Sequence, residues 1–411
     1  MKIALYNAKV YVERERFVEA VLVEDRKIKT IGTNEEILAT TDIDEKIDCE
    51  GKTVIPGLND SHMHIFNFGE RMCQVKIGDC ESIDEMIDRC KKYIEENPDS
   101  VKHGLYAQGW NQDYFTDSDR IPTRFDLDKI STEIPVVLER ICGHILTTNT
   151  KTIELLGIDG NSPQYPGGTF EIGEDGYPNG IFAENACNYA KNVIPKADIE
   201  QRKKMFIEAS EYAAQHGITT VQSNDLGTIV FDYPAYFKFF KDIYNSGEGI
   251  VRYRHQISFE TVEEFKDYIE NGEFKNGKYD EDSLIQLGPL KLFKDGSLGA
   301  RTALVRGGYK DDPTNNGIEW MSEEVMDEFC KVASDAGIQV ATHVIGDGAV
   351  EKTIDSYEKT FGQEGNKLRH TLVHCQITDK ALLERIAKLG IVVSYQPIFL
   401  DYDMHIVEKR C

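Results

Sequence analysis

The sequence has few basic residues for its size and no long apolar run. Lys and Arg number 47 against 71 Asp and Glu, which gives a net charge of −24. A chain this acidic repels phosphate backbones, and no local basic stripe offsets the repulsion, so nucleic acid is excluded as a partner. No stretch approaches the roughly 18 uncharged apolar residues that a membrane span requires. The N-terminus also lacks the apolar core of a signal peptide, so we expect a cytoplasmic protein without a membrane partner.

Cysteine is present without a pattern. The nine cysteines are an odd number, their spacing is irregular, and no CxxC pair occurs. This excludes a disulfide framework and a zinc ribbon, and it favours a reducing compartment. A GxGxxG run after a predicted strand is also missing, which argues against a dinucleotide-binding fold.

Alternating short apolar runs and helical stretches dominate the chain after its first 55 residues. Residues 1–55 show β-rich runs separated by turns and predict a small β domain of the β-sandwich type. Residues 56–411 show buried β-branched runs separated by amphipathic helices, which is typical of a parallel sheet covered by helices. Seven or more such units favour an α/β fold of the (β/α)8 TIM-barrel type. Residues 70–200 contain strands of their own and predict a large insertion after the first barrel strand.

The last part of the chain predicts an incomplete barrel. Counting from the first barrel strand gives seven strands, one short of closure, and residues 403–411 resemble the opening of a helix. A barrel that lacks one strand exposes two unpaired edges. The expectation is therefore a fragment of a longer protein, in which the eighth strand is missing from the barrel domain.

Two histidines at the end of the first barrel strand are the first candidates for metal binding. His62 and His64 are two residues apart, so their side chains point to the same face of a strand. At the C-terminal end of a barrel strand, that face is where active sites are built. Two imidazoles placed in this way can bind one divalent cation and leave positions open for water and substrate.

Three further residues fall at corresponding positions of later strands. His343 and His374 end two consecutive predicted strands. Lys291 lies inside the apolar run 288–293, where an ammonium group is costly to bury and needs a partner, a neutral state or covalent modification. Lys294, three residues further on, is predicted to face solvent or a helix. Two strand-end histidines on consecutive units, with a histidine pair upstream, are hard to ascribe to chance.

These segments together resemble the amidohydrolase superfamily and, within it, the YtcJ-like branch that includes the N-substituted formamide deformylases. The resemblance covers nearly the whole chain, through PGLNDSHMH (56–64), GITTV (217–221), KLFKDGSLGARTA (291–303), HVIGD (343–347), HCQ (374–376) and SYQP (394–397). The predicted insertion resembles that branch as well, in 109–111, in 143–144 with Asn149, and in 175–180 followed by Glu184.

The resemblance implies a metal site and a mechanism, and the chain departs from the family pattern at one position. His62 and His64 would bind one divalent metal, most simply zinc, and His343 and His374 would complete that site or bind a second ion. Lys291 would be the strand-four lysine that family members carry as a carbamate. The implied reaction is hydrolysis of a carbon–nitrogen bond by metal-activated water. The eighth-strand aspartate, which in the family ligates metal and transfers the proton, has no counterpart in residues 1–411.

Two residues of the predicted insertion are candidates for substrate contacts. His144 follows a predicted strand and is placed to contact the substrate carbonyl or its oxyanion, although a structural histidine in a loop is an equally good interpretation. Trp110 offers a flat apolar wall for a substrate side chain, although a core tryptophan is the default. The run 295–301 offers backbone amides to an anion or forms only a turn. We expect a small-molecule substrate, and a homodimer is a candidate assembly.

Two other functions stay open from the sequence. A deaminase of a heterocycle uses similar strand-end ligands but usually has a single metal and a glutamate near the fifth strand, where this chain has Asp347. A binding or regulatory relative would keep the barrel and lose turnover. Lys291 favours the hydrolase with a bridged metal site over the deaminase.

Overall fold

The computed structural model describes residues 1–116, 118, 120–141, 143, 145–226, 232–272, 283–362 and 365–411, apart from the side chains of Tyr402 and His405. The strands, in chain order, are β1 (Lys2–Tyr6), β2 (Lys9–Glu13), β3 (Arg16–Val18), β4 (Ala20–Glu24), β5 (Lys27–Gly32), β6 (Glu45–Asp48), β7 (Thr53–Val54), β8 (Leu58–Met63), β9 (Leu105–Trp110), β10 (Val136–Arg140), β11 (Ile145–Thr148), β12 (Gly168–Ile172), β13 (Pro178–Glu184), β14 (Ile218–Ser223), β15 (Arg252–Ile257), β16 (Ile285–Phe293), β17 (Val340–Val344), β18 (Thr371–His374) and β19 (Val392–Ser394). The helices are α1 (Asn34–Leu38), α2 (Ile65–Met72), α3 (Ile83–Glu96), α4 (Arg124–Leu127), α5 (Thr150–Leu156), α6 (Ala186–Lys191), α7 (Ile199–Gln215), α8 (Tyr233–Asn245), α9 (Val262–Asn271), α10 (Glu323–Asp335), α11 (Asp347–Phe361), α12 (Lys380–Leu389) and α13 (Ile398–Arg410), with a short 3₁₀ helix at Gln112–Tyr114.

A seven-stranded parallel sheet forms the main body. Its strands follow the order β19-β18-β17-β16-β15-β14-β8. Strands β14 to β19 are therefore paired in chain order, and β8 pairs with β14 although the insertion separates the two in the chain. The sheet curves into a nearly closed barrel, and the predicted count of seven strands is confirmed in the described residues. The register places Phe293 beside His343 and Val344 beside His374, which brings the strand-end histidines to one rim.

Apolar side chains of the sheet and of its helices share one core. Strands such as β17 and β18 are buried over almost their whole length, as expected for a parallel sheet covered by helices. Aromatic residues of α8 fill the space against β14 and β15, where Tyr236, Phe237 and Phe240 are completely or almost completely buried. This packing fixes the strand ends that carry the candidate site.

The first 54 residues form two small sheets. One has the strand order β5-β4-β1-β6 and the other β3-β2-β7. Ala4, Ala20, Leu22 and Ile37 pack together beneath the larger sheet, and Thr33 begins α1 with a capping box. The strands predicted between residues 1 and 55 are therefore present, while the domain boundaries at 55 and 56 stay predictions.

A five-stranded sheet lies between β8 and β14 in the chain, where the sequence predicts an insertion. Its order is β12-β13-β11-β10-β9, and α3 to α6 accompany it. Strands such as β9 and β10 agree with the prediction that residues 70–200 contain strands of their own. Among the described residues, no helix is long and apolar enough to cross a lipid bilayer.

Candidate metal centre

Four histidine rings meet at the C-terminal rim of the parallel sheet. His62 and His64 come from the end of β8, His343 from β17, and His374 from the end of β18. The ring centroids lie 5.3 Å apart for His62 and His64, 5.0 Å for His62 and His374, and 4.6 Å for His343 and His374. The structure thus brings together all four histidines that the sequence singled out.

The backbone at this rim is strained at one of the four histidines. His374 and Cys375 both adopt left-handed φ angles, of 71° and 49°. Such a conformation costs on the order of 1–3 kcal/mol per residue and persists mainly at functional sites.

Each of the four rings donates one N–H to a carbonyl oxygen. A carbonyl oxygen only accepts hydrogen bonds, so the ring nitrogen that contacts it carries the proton, and the other nitrogen keeps its lone pair. The contacts are His62 Nδ1 to Gln256 Oε1 at 2.8 Å, His64 Nδ1 to the Asn224 carbonyl at 2.7 Å, His343 Nε2 to the Gly296 carbonyl at 3.0 Å, and His374 Nδ1 to Gln396 Oε1 at 2.6 Å. Metal-binding histidines are oriented in this way by partners behind the ring.

Burial keeps three of the rings neutral. Removal from water lowers the pKa of His62 to about 2, that of His374 to about 3 and that of His343 to about 4, with neighbouring positive groups adding to the effect. Neutral rings at physiological pH have a free nitrogen lone pair for a cation. In addition, Nε2 of His62 is buried without a hydrogen-bond partner.

Lys291 lies in β16 beside the four rings. Its side chain is 1% exposed, its Nζ has no hydrogen-bond partner within the described parts of the chain, and burial lowers the pKa of the amine to about 7. Nζ lies 5.0 Å from the centre of the Phe293 ring. An unpartnered buried amine is costly, which fits a site whose occupant supplies the missing interaction.

The arrangement is an open cluster of rings. In the parts of the chain that the structure describes, no group of three or more His, Cys, Asp or Glu side chains is spaced, as it stands, to hold a metal ion. The lone pairs of the four rings and the orphaned atoms of His62 and Lys291 nevertheless fit a divalent cation. Lys291 would add an anionic ligand only after covalent modification.

The segment Ser223–Asn224–Asp225 at the end of β14 holds the start of α2. Ser223 Oγ accepts from Ile65 N at 2.9 Å, and a carboxylate oxygen of Asp225 accepts from Phe66 N at 3.3 Å. Between them, the Asn224 carbonyl accepts from the His64 ring. Residues 223–225 therefore accept hydrogen bonds from residues 64–66, which fixes His64 relative to the sheet.

A buried chain of hydrogen bonds ends on Asp225. Tyr253 donates its hydroxyl proton to Asp225 at 2.5 Å, so Tyr236 donates to Tyr253 at 2.9 Å and accepts from His255 Nδ1 at 3.0 Å. All four side chains are at most 1% exposed. Asp225 thus receives donors from this chain and from α2, which is how a buried carboxylate is accommodated.

The carboxylate of Asp295, which lies in the loop after β16, is held by backbone amides. Asp295 accepts hydrogen bonds from the backbone amides of Leu304, Ile345 and Gly346. Arg301 is paired with Asp311 at 2.8 Å. For residues 295–301, the structure therefore favours a turn over a segment whose backbone amides bind an anion.

Lys294 does not face solvent. Lys294 is completely buried, pairs with Glu319 at 2.6 Å and lies near Asp327 and Cys330 of α10, so of the two predicted environments the structure supports the helix.

Of the two insertion residues predicted to contact substrate, the structure describes Trp110. Trp110 is 0% exposed, packs in the core of the insertion and donates its indole N–H to the Leu138 carbonyl at 2.8 Å. The structure does not bring it to the histidine cluster, because its position at the end of β9 faces the helices of the insertion. His144 lies outside the described residues.

Sequence reasoning missed the residues behind the rings. Gln256 and Gln396 each accept from one histidine and donate to the backbone of β8, Gln256 to the Ser61 carbonyl at 3.1 Å and Gln396 to the His62 carbonyl at 3.3 Å. Gln256 lies at the end of β15 and Gln396 follows β19 in the SYQP segment, so polar residues at strand ends were the available signal.

Comparisons with known proteins agree with this geometry. A family model described as "Amidohydrolase family" matches residues 45–411. The putative amidohydrolase YtcJ of Bacillus subtilis is 30% identical over 394 residues, which cover 95% of this chain and 72% of that protein. N-substituted formamide deformylase of Arthrobacter pascens is 24% identical over 407 residues, which cover 95% of this chain and 71% of that protein. The crystal structure of an uncharacterized metal-dependent hydrolase from Pyrococcus furiosus matches with a TM-score of 0.77 and 27% identity, over 100% of this chain and 80% of that one.

Proposed function

The chain belongs to the amidohydrolase family of metal-dependent hydrolases, and from this premise we propose that it hydrolyses a carbon–nitrogen bond in an amide, formamide or cyclic amide. The observation that carries the proposal is the set of four histidines, each with one ring nitrogen hydrogen-bonded to a carbonyl and the other free. N-substituted formamide deformylase, by its name, acts on a bond of this class.

The proposed ligands of a divalent metal, with zinc as the first candidate, are His62, His64, His343 and His374 together with Lys291. When bound, the cation supplies Lewis acidity, which lowers the pKa of water and polarises a carbonyl group. The chain itself supplies fixed orientation, because Gln256, Gln396 and the carbonyls of Asn224 and Gly296 hold the rings. Burial lowers the pKa of His62, His343 and His374 and so keeps these rings neutral at physiological pH.

We further propose that Lys291 is carboxylated. The neutral Nζ attacks carbon dioxide, an N–C bond forms, and one proton leaves, so the buried amine becomes an anionic carbamate. The geometry supports this step, because Nζ is buried near His62, His343 and His374 and has no hydrogen-bond partner among the described residues. A carbamate gives the otherwise neutral cluster one negative charge to offset a cation.

Metal analysis combined with a substrate panel tests the proposal. The purified protein is expected to contain a divalent metal and to release amine from N-acyl amines, N-formyl amines or cyclic amides. His62→Ala and His374→Ala are expected to lose both the metal and the hydrolysis. His216→Ala is the control, because His216 lies in an exposed position at the end of α7 and contacts only its own helix in the described hydrogen bonds.

Two results would contradict this function. Stoichiometric metal and full activity in His62→Ala or His374→Ala would remove the histidine cluster from the chemistry. Release of ammonia from an amino-substituted heterocycle, with no cleavage across the amide panel, would assign the site to deamination instead.

A further inference from the structure

A line of aromatic rings connects the metal centre to solvent and ends on an exposed tryptophan. Ring centroids are separated by 4.6 Å between His374 and His343, by 5.7 Å between His343 and Phe293, and by 6.1 Å between Phe293 and Trp320. Trp320 is 59% exposed, whereas Phe293 is partly buried. The exposed indole therefore lies two ring contacts away from a proposed metal ligand.

The backbone beneath Trp320 is firmly held. Its amide N–H donates to the Lys294 carbonyl at 2.9 Å. The buried ammonium of Lys294 pairs with the neighbouring Glu319 and donates to the Met321 carbonyl at 2.7 Å. Three residues in a row, 319–321, are thus tied to the position directly after β16. The indole is presented from a fixed segment, which lowers the entropy lost when a ligand packs against it.

Phe293 also faces a cavity at the same rim. The described lining of this cavity, which has a volume of about 820 Å³, includes Leu226, Tyr233 and Phe259 as its other apolar members. Ser258 and five carboxylates complete the described lining, the carboxylates being those of Asp232, Glu260, Glu263, Glu264 and Asp267. An apolar wall beside the reacting centre binds an apolar group, and carboxylates around that wall repel an anionic one.

We propose that Phe293 and Trp320 bind an aromatic or bulky apolar group attached to the scissile carbon–nitrogen bond, and that substrates with an anionic group at this position are rejected. The proposal rests on the proposed function for the position of the reacting bond. A flat ring stacked on the indole gains about 0.5–1.5 kcal/mol beyond its buried area. Isolated exposed apolar residues are common on proteins. The contact with Phe293, which itself contacts a proposed ligand, distinguishes Trp320 from those.

Intrinsic fluorescence gives a direct test, because the sequence contains only two tryptophans. Trp110 is completely buried and distant from solvent, so quenching by a ligand at the rim reports on Trp320. The metal-loaded protein is titrated with 2-phenylethylurea, with ethylurea, and with 2-phenylethylurea carrying a ring carboxylate. Ureas share the planar amide group and resist hydrolysis, so binding is measured apart from turnover.

The expected result is saturable quenching by 2-phenylethylurea, with a Kd about tenfold below those of ethylurea and of the carboxylated compound. Trp320→Ala is expected to raise the KM for an N-(2-phenylethyl) amide about tenfold and to leave the KM for the N-ethyl amide unchanged. Trp320→Phe restores most of the difference, because it keeps a ring. Phe17→Ala is the matched control, since Phe17 is also exposed, at 43%, and contacts a second ring, that of Tyr11 at 5.6 Å, in β2.

The outcomes separate this proposal from the proposed function. Equal Kd values for the phenyl and ethyl ureas, or unchanged KM values in Trp320→Ala, would overturn the aromatic surface even in an active enzyme. Quenching with the expected selectivity, in a protein that cleaves no amide, would overturn the proposed function and leave the binding surface in place.

Discussion

The side-chain amide of Gln396 donates a hydrogen bond of 3.3 Å to the backbone carbonyl of His62. Gln396 follows β19 and His62 stands on β8, so the contact bridges the two edge strands of the seven-stranded sheet. The carbonyl end of the same glutamine accepts from His374 at 2.6 Å. One side chain therefore sets the spacing between two proposed metal ligands and spans the gap of the barrel.

We expect Gln396→Ala to weaken metal binding about 10- to 100-fold while the fold is retained, because loss of an outer partner frees the His374 ring. The measurement is a competitive metal titration against a chromogenic chelator. Gln376→Ala is the control, since Gln376 donates to Asp403 at 2.6 Å and belongs to the same region of the chain. Equal affinities in the two variants would show that Gln396 does not position His374.

Replacement of Tyr253 by Phe tests the buried chain that ends on Asp225. The variant removes a 2.5 Å donor from a fully buried carboxylate, so we expect a loss of about 1–3 kcal/mol in the free energy of unfolding. Tyr244→Phe removes a hydroxyl that donates to a neutral acceptor, the Val251 carbonyl, and should cost about 0.5–1.5 kcal/mol. Urea denaturation measures both variants. A smaller loss for Tyr253→Phe than for Tyr244→Phe would mean that the hydrogen bond from Tyr253 does not stabilise the buried Asp225.

Acid sensitivity should depend partly on His370. Its Nδ1 accepts from Val340 N at 2.9 Å, and burial lowers the pKa of the ring from 6.5 to about 4. The unfolded chain therefore takes up this proton below about pH 6.5 while the folded chain resists it, so stability is full above pH 6.5 and falls as the pH drops toward 4.

His370→Asn keeps an acceptor for the Val340 amide but does not titrate. We expect it to remove up to about 2–3 kcal/mol of the acid-induced loss, as measured by urea midpoints above pH 6.5 and near pH 4. His216→Asn, which replaces an exposed histidine, is the control. An identical pH profile for His370→Asn and the parent protein would rule out this contribution.

The two tryptophans should differ in their effect on stability. Trp110→Phe loses a buried hydrogen bond to Leu138 and leaves a void, so a loss of about 1–3 kcal/mol is expected. Trp320→Phe, at an exposed position, should change stability by less than about 0.5 kcal/mol. Thermal and urea unfolding measure the difference. Comparable losses in both variants would contradict the contrast in burial.

Lys291→Met should stabilise the metal-free protein and weaken its metal binding. Methionine fills a similar volume without an unpartnered amine, so the free energy of unfolding should rise by about 1–3 kcal/mol in the presence of a chelator. The same variant loses the proposed anionic ligand, so its metal content should fall. A destabilised variant with unchanged metal content would mean that Lys291 is a structural residue.

The sequence allowed good prediction wherever a signal was local. Strand-end histidines could be identified from apolar runs, because each strand carries its own periodicity and the C-terminal ends of parallel strands share one rim. The exact ends of elements depend on single residues. Helix α7 begins at Ile199, because Asp198 caps it and Gln201 completes a capping box. Strand β15 begins at Arg252, whereas Ile250, two residues earlier, is exposed.

Contacts between distant segments could not be predicted from local pattern. The partners Gln256 and Gln396 depend on side-chain positions in neighbouring strands, which no periodicity reveals. The sequence also gave no means to tell which tryptophan is buried. Trp110 ends a strand whose alternation allowed either face, and Trp320 lies in a loop without any periodicity.

The bridge between Gln396 and His62 has a consequence for how the protein is made. The two residues are 334 positions apart in the chain, and the proposed ligands are spread between them. Such long-range contacts form late, because a large loop entropy must be overcome before they contribute. Most of this chain must therefore be synthesised before the four imidazoles can meet, so the proposed metal site is completed late in the folding of the chain.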